Sequence, residues 1–172
     1  MAMKECAAVV AISLSVIAGG GNVSGSMQAT QVARGDVILR RAAAAIVKVE
    51  PAWRFRAGVC DCNPVLDEIQ AVTGTWEQSN AGVVVLLHTS KSVDSASRWM
   101  NEAARDRLLR SPEWTVAKYE LAEGAYLGTY RNGERYDLTF RKGRVIAGMG
   151  SKSKSDIERF AKYILAAISE VE

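Results

Sequence analysis

The chain has very little of the residue types that build most reactive sites: one histidine and three cysteines in 172 residues. A metal site with two histidines, or a catalytic group that needs a second imidazole, is therefore excluded within one chain. The net charge is also small, +3 from 22 basic and 19 acidic residues. Nucleic-acid-binding domains carry a larger and clustered basic excess. We therefore expect no nucleic-acid partner.

The N-terminal apolar run, Cys6 to Ala18, is too short to span a bilayer, which needs about 20 residues. It follows Lys4 and precedes small and polar residues up to Thr30. This pattern predicts a signal peptide over residues 1–25, cleaved between 18 and 29. The alternative is a buried N-terminal helix of a cytosolic protein, but the four glycines between Gly19 and Gly25 favour a helix end there. We expect a periplasmic or secreted protein with no transmembrane span after cleavage.

The remaining residues, 30–172, have the composition and length of a single globular domain. Asp36 is predicted to be the N-cap of a helix over Val37–Val49, which Pro51 closes. The inner face of this helix is predicted to comprise Leu39, Ala42, Ala43, Ile46 and Val49.

Alternating residues from Trp53 to Val59 predict a half-buried strand. For Val65 to Val72 the pattern does not decide between strand and helix, and Thr73 to Gly82 is rich in turn formers. The aliphatic run Val83 to Leu87 predicts a central strand buried on both faces. Ser92 is the predicted cap of a helix that runs to about Arg110, with an inner stripe of Val93, Ala96, Met100, Ala103 and Ala104.

The last third of the chain predicts a four-strand antiparallel meander between Trp114 and Met149. Its strongest signal is Asn132–Gly133, because both residues accept a positive φ and form tight hairpins. Ser155 then begins a capping-box pattern for a closing helix, whose apolar stripe is Ile157, Phe160, Ala161, Ile164, Ile168 and Val171.

The predicted fold class is therefore α+β, an antiparallel β-sheet that ends in the four-strand meander, with helices packed against it. Over residues 50–172 this order of elements resembles the Mog1/PsbP-like folds and the extracellular sensor domains of some bacterial kinases. The resemblance rests on element order, so it implies an architecture and no function.

Cys60 and Cys62 form the most distinctive short motif, Cys60-Asp61-Cys62. They are candidates for a disulfide, which an exported compartment favours, or for soft-metal ligands. Unpaired, inert thiols and a bridge to another chain are the alternatives. With His88 as a third ligand, Cys60 and Cys62 are also the candidate metal site.

His88, near the end of the predicted central strand, is open to two interpretations. It is a hydrogen-bonded histidine at a sheet edge, or a catalytic base for a cysteine thiolate. A second candidate site is basic: Arg141, Lys142 and Arg144 surround one predicted turn, where they could contact a phosphate or an anionic head group. Ordinary solvated surface is the alternative.

The sequence carries no cofactor motif and no recognisable set of catalytic residues, which favours a non-catalytic domain over an enzyme. We expect an exported domain that binds a partner protein or a small ligand. The alternative is a thiol- or metal-handling protein that uses the Cys60 and Cys62 pair.

Overall fold

The computed structural model describes residues 23–60, 70–110 and 112–172. The elements in chain order are α1 (Val23–Val49), β1 (Arg54–Cys60), β2 (Gln70–Gln78), β3 (Ala81–Thr89), α2 (Val93–Arg110), β4 (Trp114–Lys118), β5 (Gly124–Tyr130), β6 (Arg135–Lys142), β7 (Val145–Ser151) and α3 (Lys154–Val171). Most of the predicted signal peptide and Cys62 lie outside the described residues.

All strands form one antiparallel sheet of seven strands in the order β1-β2-β3-β7-β6-β5-β4. The prediction of an α+β fold with an antiparallel sheet is confirmed, and so is the meander, which comprises β4 to β7. Asn132 and Gly133 lie in the β5–β6 turn with φ of 59° and 115°, and Arg131 before them also has a positive φ, 42°. Tyr130 pairs with Arg135, so the turn is the longer loop Arg131–Glu134 and not a two-residue hairpin. β7 then pairs with β3, which joins the meander to the first three strands.

The main hydrophobic core lies between one face of the sheet and the helices α1 and α3. Trp76 and Phe160 are both fully buried there, with ring centroids 5.7 Å apart, and Trp53 packs edge-on against Phe160 at 4.8 Å. Strands β3, β6 and β7 contribute every second residue to this face. We call it the core face.

Helix α2 packs on the opposite side of the sheet, which we call the α2 face. Among the described side chains, the buried contact comprises Ala96, Met100 and Ile146, with Trp99 and Tyr126 against them. Ser92 Oγ accepts a hydrogen bond from Ser95 N at 3.1 Å, so the predicted cap of α2 is confirmed. The predicted inner residue Val93 is 48% exposed, because it lies in the first turn, beyond the sheet contact.

The first helix ends at Val49 as predicted, but the prediction for its N-terminal end is wrong. Helix α1 begins at Val23, and Asp36 lies inside it, where its carboxylate accepts from Arg40 Nε at 2.6 Å. Gly35 fits the helix because it faces β2, where an added Cβ would come within 2.6 Å of Val72 Cγ2. At the other end Val49, predicted to be buried, is 65% exposed.

Two predictions about strands are also wrong. Thr73 to Gly82, expected to be loop, largely forms β2, since pairing with β1 and β3 on both sides outweighs its turn-forming composition. The following strand, expected to be buried on both faces, alternates instead, and Val84 is 49% exposed on the α2 face. Helix α2 covers only part of that face.

The cap of α3 is Ser153, two residues before the predicted Ser155. Ser153 Oγ accepts a hydrogen bond from Asp156 N at 3.2 Å, and Ser155 contributes only a hydroxyl contact to Ser153. The predicted stripe of α3 is buried except at Val171, which is half-buried near the helix end. Among the described helices, none is long and apolar enough to cross a membrane.

Candidate functional site

A cleft of about 380 Å³ lies where α2 crosses the meander on the α2 face. One wall is the first half of α2, with Ser97, Met100 and Asn101. The other wall runs from the end of β4 through the β4–β5 loop into β5, and Arg141 of β6 reaches the cleft from the neighbouring strand. Charged side chains, among them Lys118, Glu120 and Arg141, line the cleft beside Met100 and Tyr126, which suits a polar ligand more than a hydrocarbon.

The Arg141 guanidinium is held at one end of this cleft by fixed partners. Its Nη1 lies 2.7 Å from Glu123 Oε2 and donates to the carbonyl of Gly143 at 3.0 Å, and the side chain is only 13% exposed. Glu123 also accepts from Gly143 N and lies 3.5 Å from Lys142 Nζ. The Glu123 carboxylate thus ties the β4–β5 loop to the β6–β7 turn.

The environment of Glu123 keeps its carboxylate charged. Partial burial is the largest single effect and raises its pKa. The hydrogen bond from Gly143 and the charges of Arg141 and Lys142 outweigh this together, so the pKa of Glu123 is lowered overall. An anionic Glu123 beside a cationic Arg141 is a stable pair at neutral pH.

Two other charged residues of the cleft have no ion-pair partner among the residues that the structure describes. Lys118 and Glu120 line it and are solvent-exposed, and within the described part of the chain neither makes an ion pair. Tyr119 lies between them and donates from its hydroxyl to Glu158 Oε1 at 2.8 Å. Its pKa is raised by burial and by the hydrogen bond to Glu158, so the phenol stays protonated.

Gly124, at the start of β5, adds open space to the cleft. An added Cβ there would meet no atom within 4 Å. Of the cleft residues, only Arg141 was a candidate site residue in the sequence, and the others stand in no motif that would reveal them.

His88 lies on the α2 face, against α2 and outside the cleft. Its ring packs against Trp99 with centroids 5.0 Å apart, and its buried Nδ1 has no hydrogen-bond partner among the described residues. Burial lowers the pKa of His88 to about 4, so the imidazole is neutral at pH 7. The sequence predicted a hydrogen-bonded histidine at a sheet edge. In the structure, Nδ1 of His88 makes no such hydrogen bond with any described residue.

The candidate metal and disulfide residues are only partly described. Cys60 ends β1 and pairs with Ala71, which pairs with His88 on β3. Cys60 and His88 thus share one row of the sheet with a single strand between them, about 10 Å apart at Cα. The side chain of Cys60 and all of Cys62 lie outside the described residues, so the disulfide and the metal site stay predictions. Within the described ranges, no group of three or more His, Cys, Asp or Glu residues could hold a metal ion.

The candidate anion contact at Arg141, Lys142 and Arg144 is gathered around the β6–β7 turn, as predicted. Carboxylates stand among the three cations, Glu123 beside Arg141 and Lys142, and Glu172 at 3.9 Å from Arg144 Nε. Arg141 and Lys142 both direct their charged groups to the Glu123 carboxylate, which neutralises part of the positive charge at this turn. Anion binding at this turn stays a prediction.

Comparisons with known proteins do not assign this chain to a family. No protein-family model matches the chain, and no curated protein matches it. Among solved structures, a GTP-binding regulator from Thermotoga maritima is similar, with 13% sequence identity and a TM-score of 0.45 over 77% of this chain and 87% of that one. A likeness at this level carries no inference about function, and the resemblance to Mog1/PsbP-like folds stays a prediction.

Proposed function

We propose that this protein is an exported, non-catalytic domain that binds a small polar ligand in the cleft between α2 and the meander. The observation that carries the proposal is the charge arrangement of the cleft. Lys118 and Glu120 make no ion pair with any described residue, and they stand beside the fixed pair of Arg141 and Glu123. A ligand that carries both a positive and a negative group complements the charges of Lys118 and Glu120.

The size of the cleft limits the ligand. Its volume of about 380 Å³ is near the lower end of ligand pockets, which run from about 300 to 1,000 Å³. A free amino acid or a dipeptide has both charges and fits this range. Asn101 and Ser97 add hydrogen-bonding groups from α2, on the opposite wall.

The protonation states favour binding over catalysis. A general acid or base works best with a pKa near the working pH. The pKa of Glu123 is lowered and that of Tyr119 is raised, so both move away from neutrality. These groups keep a constant charge, which suits recognition of a charged ligand.

Ligand binding can be tested with the free amino acids, glycyl dipeptides and singly charged analogues such as acetate and ethylamine. Ligand at a hundredfold excess over Kd stabilises a protein by about 2.7 kcal/mol, which a thermal-unfolding assay detects. We expect at least one zwitterion to raise the Tm, and the singly charged analogues to do less. A full panel without any shift contradicts the proposal.

Two variants locate the site. Lys118→Ala and Glu120→Ala should each weaken binding of the zwitterion about tenfold, as measured by titration calorimetry, since each removes one charge contact. Lys152→Ala is the matched control, because Lys152 is equally exposed and lies outside the cleft. If Lys152→Ala weakens binding as much as Lys118→Ala does, the ligand does not bind in this cleft.

Export is supported by the N-terminal pattern of Lys4, the apolar run and the glycines that follow. Cleavage between residues 18 and 29 would remove only the first turns of α1, upstream of its buried residues Gly35 and Ile38. Fusing residues 1–30 to a reporter that is active only outside the cytoplasm tests this. An inactive fusion, with the reporter retained inside, contradicts export.

A second candidate function, thiol or metal handling, is favoured by one observation. The register places Cys60 and the neutral His88 in the same row of the sheet, and neutral imidazole is the form that binds metals. Protein purified anaerobically should then bind Zn²⁺ or Cu(I) in equimolar amount. Cys60→Ser, Cys62→Ser and His88→Gln should each abolish this binding, and background metal content in the unaltered protein excludes it.

A further inference from the structure

The outer edge of β4 pairs with no strand in the part of the chain that the structure describes. β4 is the last strand in the sheet order and pairs only with β5, and no other described segment pairs with it. Its five residues, Trp114-Thr115-Val116-Ala117-Lys118, are half-buried or exposed. A strand edge of this kind is a template for pairing with another strand.

The hydrogen bonds to β5 show which backbone groups of β4 point outward. Tyr119 N donates to Ala125 O at 2.9 Å, and Arg131 N donates to Glu113 O at 3.0 Å. Hydrogen-bonded pairs recur at every second residue of an antiparallel ladder. The backbone groups that face β5 therefore belong to odd-numbered residues. The outward N–H and C=O groups belong to Trp114, Val116 and Lys118.

We propose that two copies of this chain pair through β4, antiparallel, about a two-fold axis at Val116. In this register Val116 lies opposite Val116 of the second copy, and Trp114 lies opposite Lys118 of the second copy. All three residues with outward backbone groups then meet each other, giving about six hydrogen bonds between the copies. A register shifted by one residue would set outward groups against inward ones.

The side chains across this seam are complementary. Lys118 makes no ion pair within the described part of the chain, and its ammonium would face the indole of Trp114, a favourable cation–π partner. Trp114 is already ordered, with its ring 5.1 Å from that of Tyr130 and within 3.2 Å of a Cβ added at Gly128. The two-fold axis makes this contact twice.

The other terminal strand of the sheet, β1, does not have this complementarity. β1 carries Arg54 and Arg56, both exposed, and no acidic residue. Two copies paired through β1 would bring arginines from both chains to one seam, and like charges across strands are destabilising. β4 is therefore the edge that fits a second copy.

The interface is small, because a five-residue edge buries less than the roughly 1,200 Å² of a standard stable interface. We expect a weak dimer, so sedimentation equilibrium should run from about 1 µM to 1 mM chain. Over this range the unaltered protein should pass from monomer toward dimer. A chain that stays monomeric up to 1 mM overturns the proposal.

Val116→Lys is the decisive variant, because it sets two ammonium groups opposite each other at the two-fold axis. Val116 lies outside the ligand cleft, but Lys118 lines both the cleft and the seam. Ligand binding by the variant is therefore compared with that of the unaltered protein at a concentration where the unaltered protein is monomeric. We expect Val116→Lys to remove the dimer, with an unchanged circular dichroism spectrum showing that it folds. Ala57→Lys is the matched control on β1, where Ala57 is exposed, and it should dimerise normally. If Val116→Lys still dimerises and Ala57→Lys does not, the proposal is overturned.

Amide hydrogen exchange gives a second test of the dimer, because a folding defect would not produce the protection pattern expected here. The amides of Thr115 and Ala117 face β5 and should be protected at every concentration. Those of Trp114, Val116 and Lys118 should become protected only as the concentration rises. If the protein dimerises without this alternating gain in amide protection, another surface forms the dimer and the proposal is overturned. If the protein shows the alternating protection but binds no zwitterion, the dimer proposal stands and the proposed ligand-binding function is wrong.

Discussion

Phe160 is the residue on which the main core converges. It is fully buried, and its ring packs against those of both Trp53 and Trp76. Phe160→Ala removes these contacts and leaves a cavity, so we expect a loss of about 3–5 kcal/mol in the free energy of unfolding. Urea unfolding measures it. Lys162→Ala, an exposed site on the same helix, should change stability by less than about 0.5 kcal/mol, and equal losses would contradict this role.

His88 makes the stability of the protein depend on pH. Its pKa is about 4 in the folded protein, against 6.5 for an unperturbed histidine, because burial disfavours the imidazolium. Between these values the unfolded chain binds more protons, so the free energy of unfolding falls as the pH falls from about 6.5 to about 4. The contribution is at most about 3 kcal/mol.

The matched variant for this prediction is His88→Leu, which removes the only histidine of the chain. Carboxylates titrate in both proteins, so the difference between the two unfolding free energies isolates His88. We expect that difference to shift in favour of the variant as the pH falls from 7 to 4.5. A difference that does not change with pH would show that His88 is accessible to protons in the folded state.

The N-terminus of α3 offers a test at the scale of the element. Ser153 caps the helix by accepting from Asp156 N, whereas the sequence motif had indicated Ser155. Ser153→Ala should cost about 1 kcal/mol in unfolding free energy. Ser155→Ala should cost only a few tenths, because Ser155 accepts no backbone hydrogen bond of the helix. The opposite ranking in thermal unfolding would restore the motif-based assignment.

Helix α2 is attached to the sheet by few described side chains. Only Ala96 and Met100 of its described residues are fully buried, whereas α3 buries six residues in the main core. Segments with little buried apolar surface open at lower free energy than the core. The amides of Ala96 to Met100 should therefore exchange with solvent well before those of Phe160 to Ile168. Equal protection in both helices would contradict this expectation.

The elements that the sequence predicted well are those in which local pattern and tertiary contact agree. Asn132 and Gly133 define a turn whatever surrounds them, so the meander followed from the sequence. β2 did not, since Gly74 is there for a tertiary reason. An added Cβ would come within 2.8 Å of the Phe55 ring and 3.2 Å of Leu39. Such a glycine resembles a turn former in the sequence, yet it makes room for a packed core.

The candidate cleft could not be predicted from the sequence. It exists because α2 crosses β5 and β6, which brings Asn101 near Lys118 and Arg141, residues far apart in the chain. Sequence reasoning placed Arg141 at a turn but could not show its pairing with Glu123, which depends on the β4–β5 loop folding back. Contacts of this kind depend on the angle at which the helix crosses the sheet, and a single sequence does not reveal that angle.

At the scale of the molecule, one core connects both halves of the sheet. It includes Trp76 of β2, Phe140 of β6 and Ile164 of α3, so neither half is independently covered. We expect urea to unfold the β-sheet in one cooperative transition, with tryptophan fluorescence and far-ultraviolet circular dichroism giving the same midpoint. Two separated midpoints would mean that the first three strands and the meander unfold as distinct units.

The vacant space above Gly124 has a consequence for how this protein can change. Alanine could enter position 124 without displacing any described atom, because none stands within 4 Å of an added Cβ. It would shrink the cleft while leaving the distant core undisturbed. A single substitution at position 124 can thus change which ligands fit the cleft. Close variants of this domain could therefore differ in ligand preference while remaining equally stable.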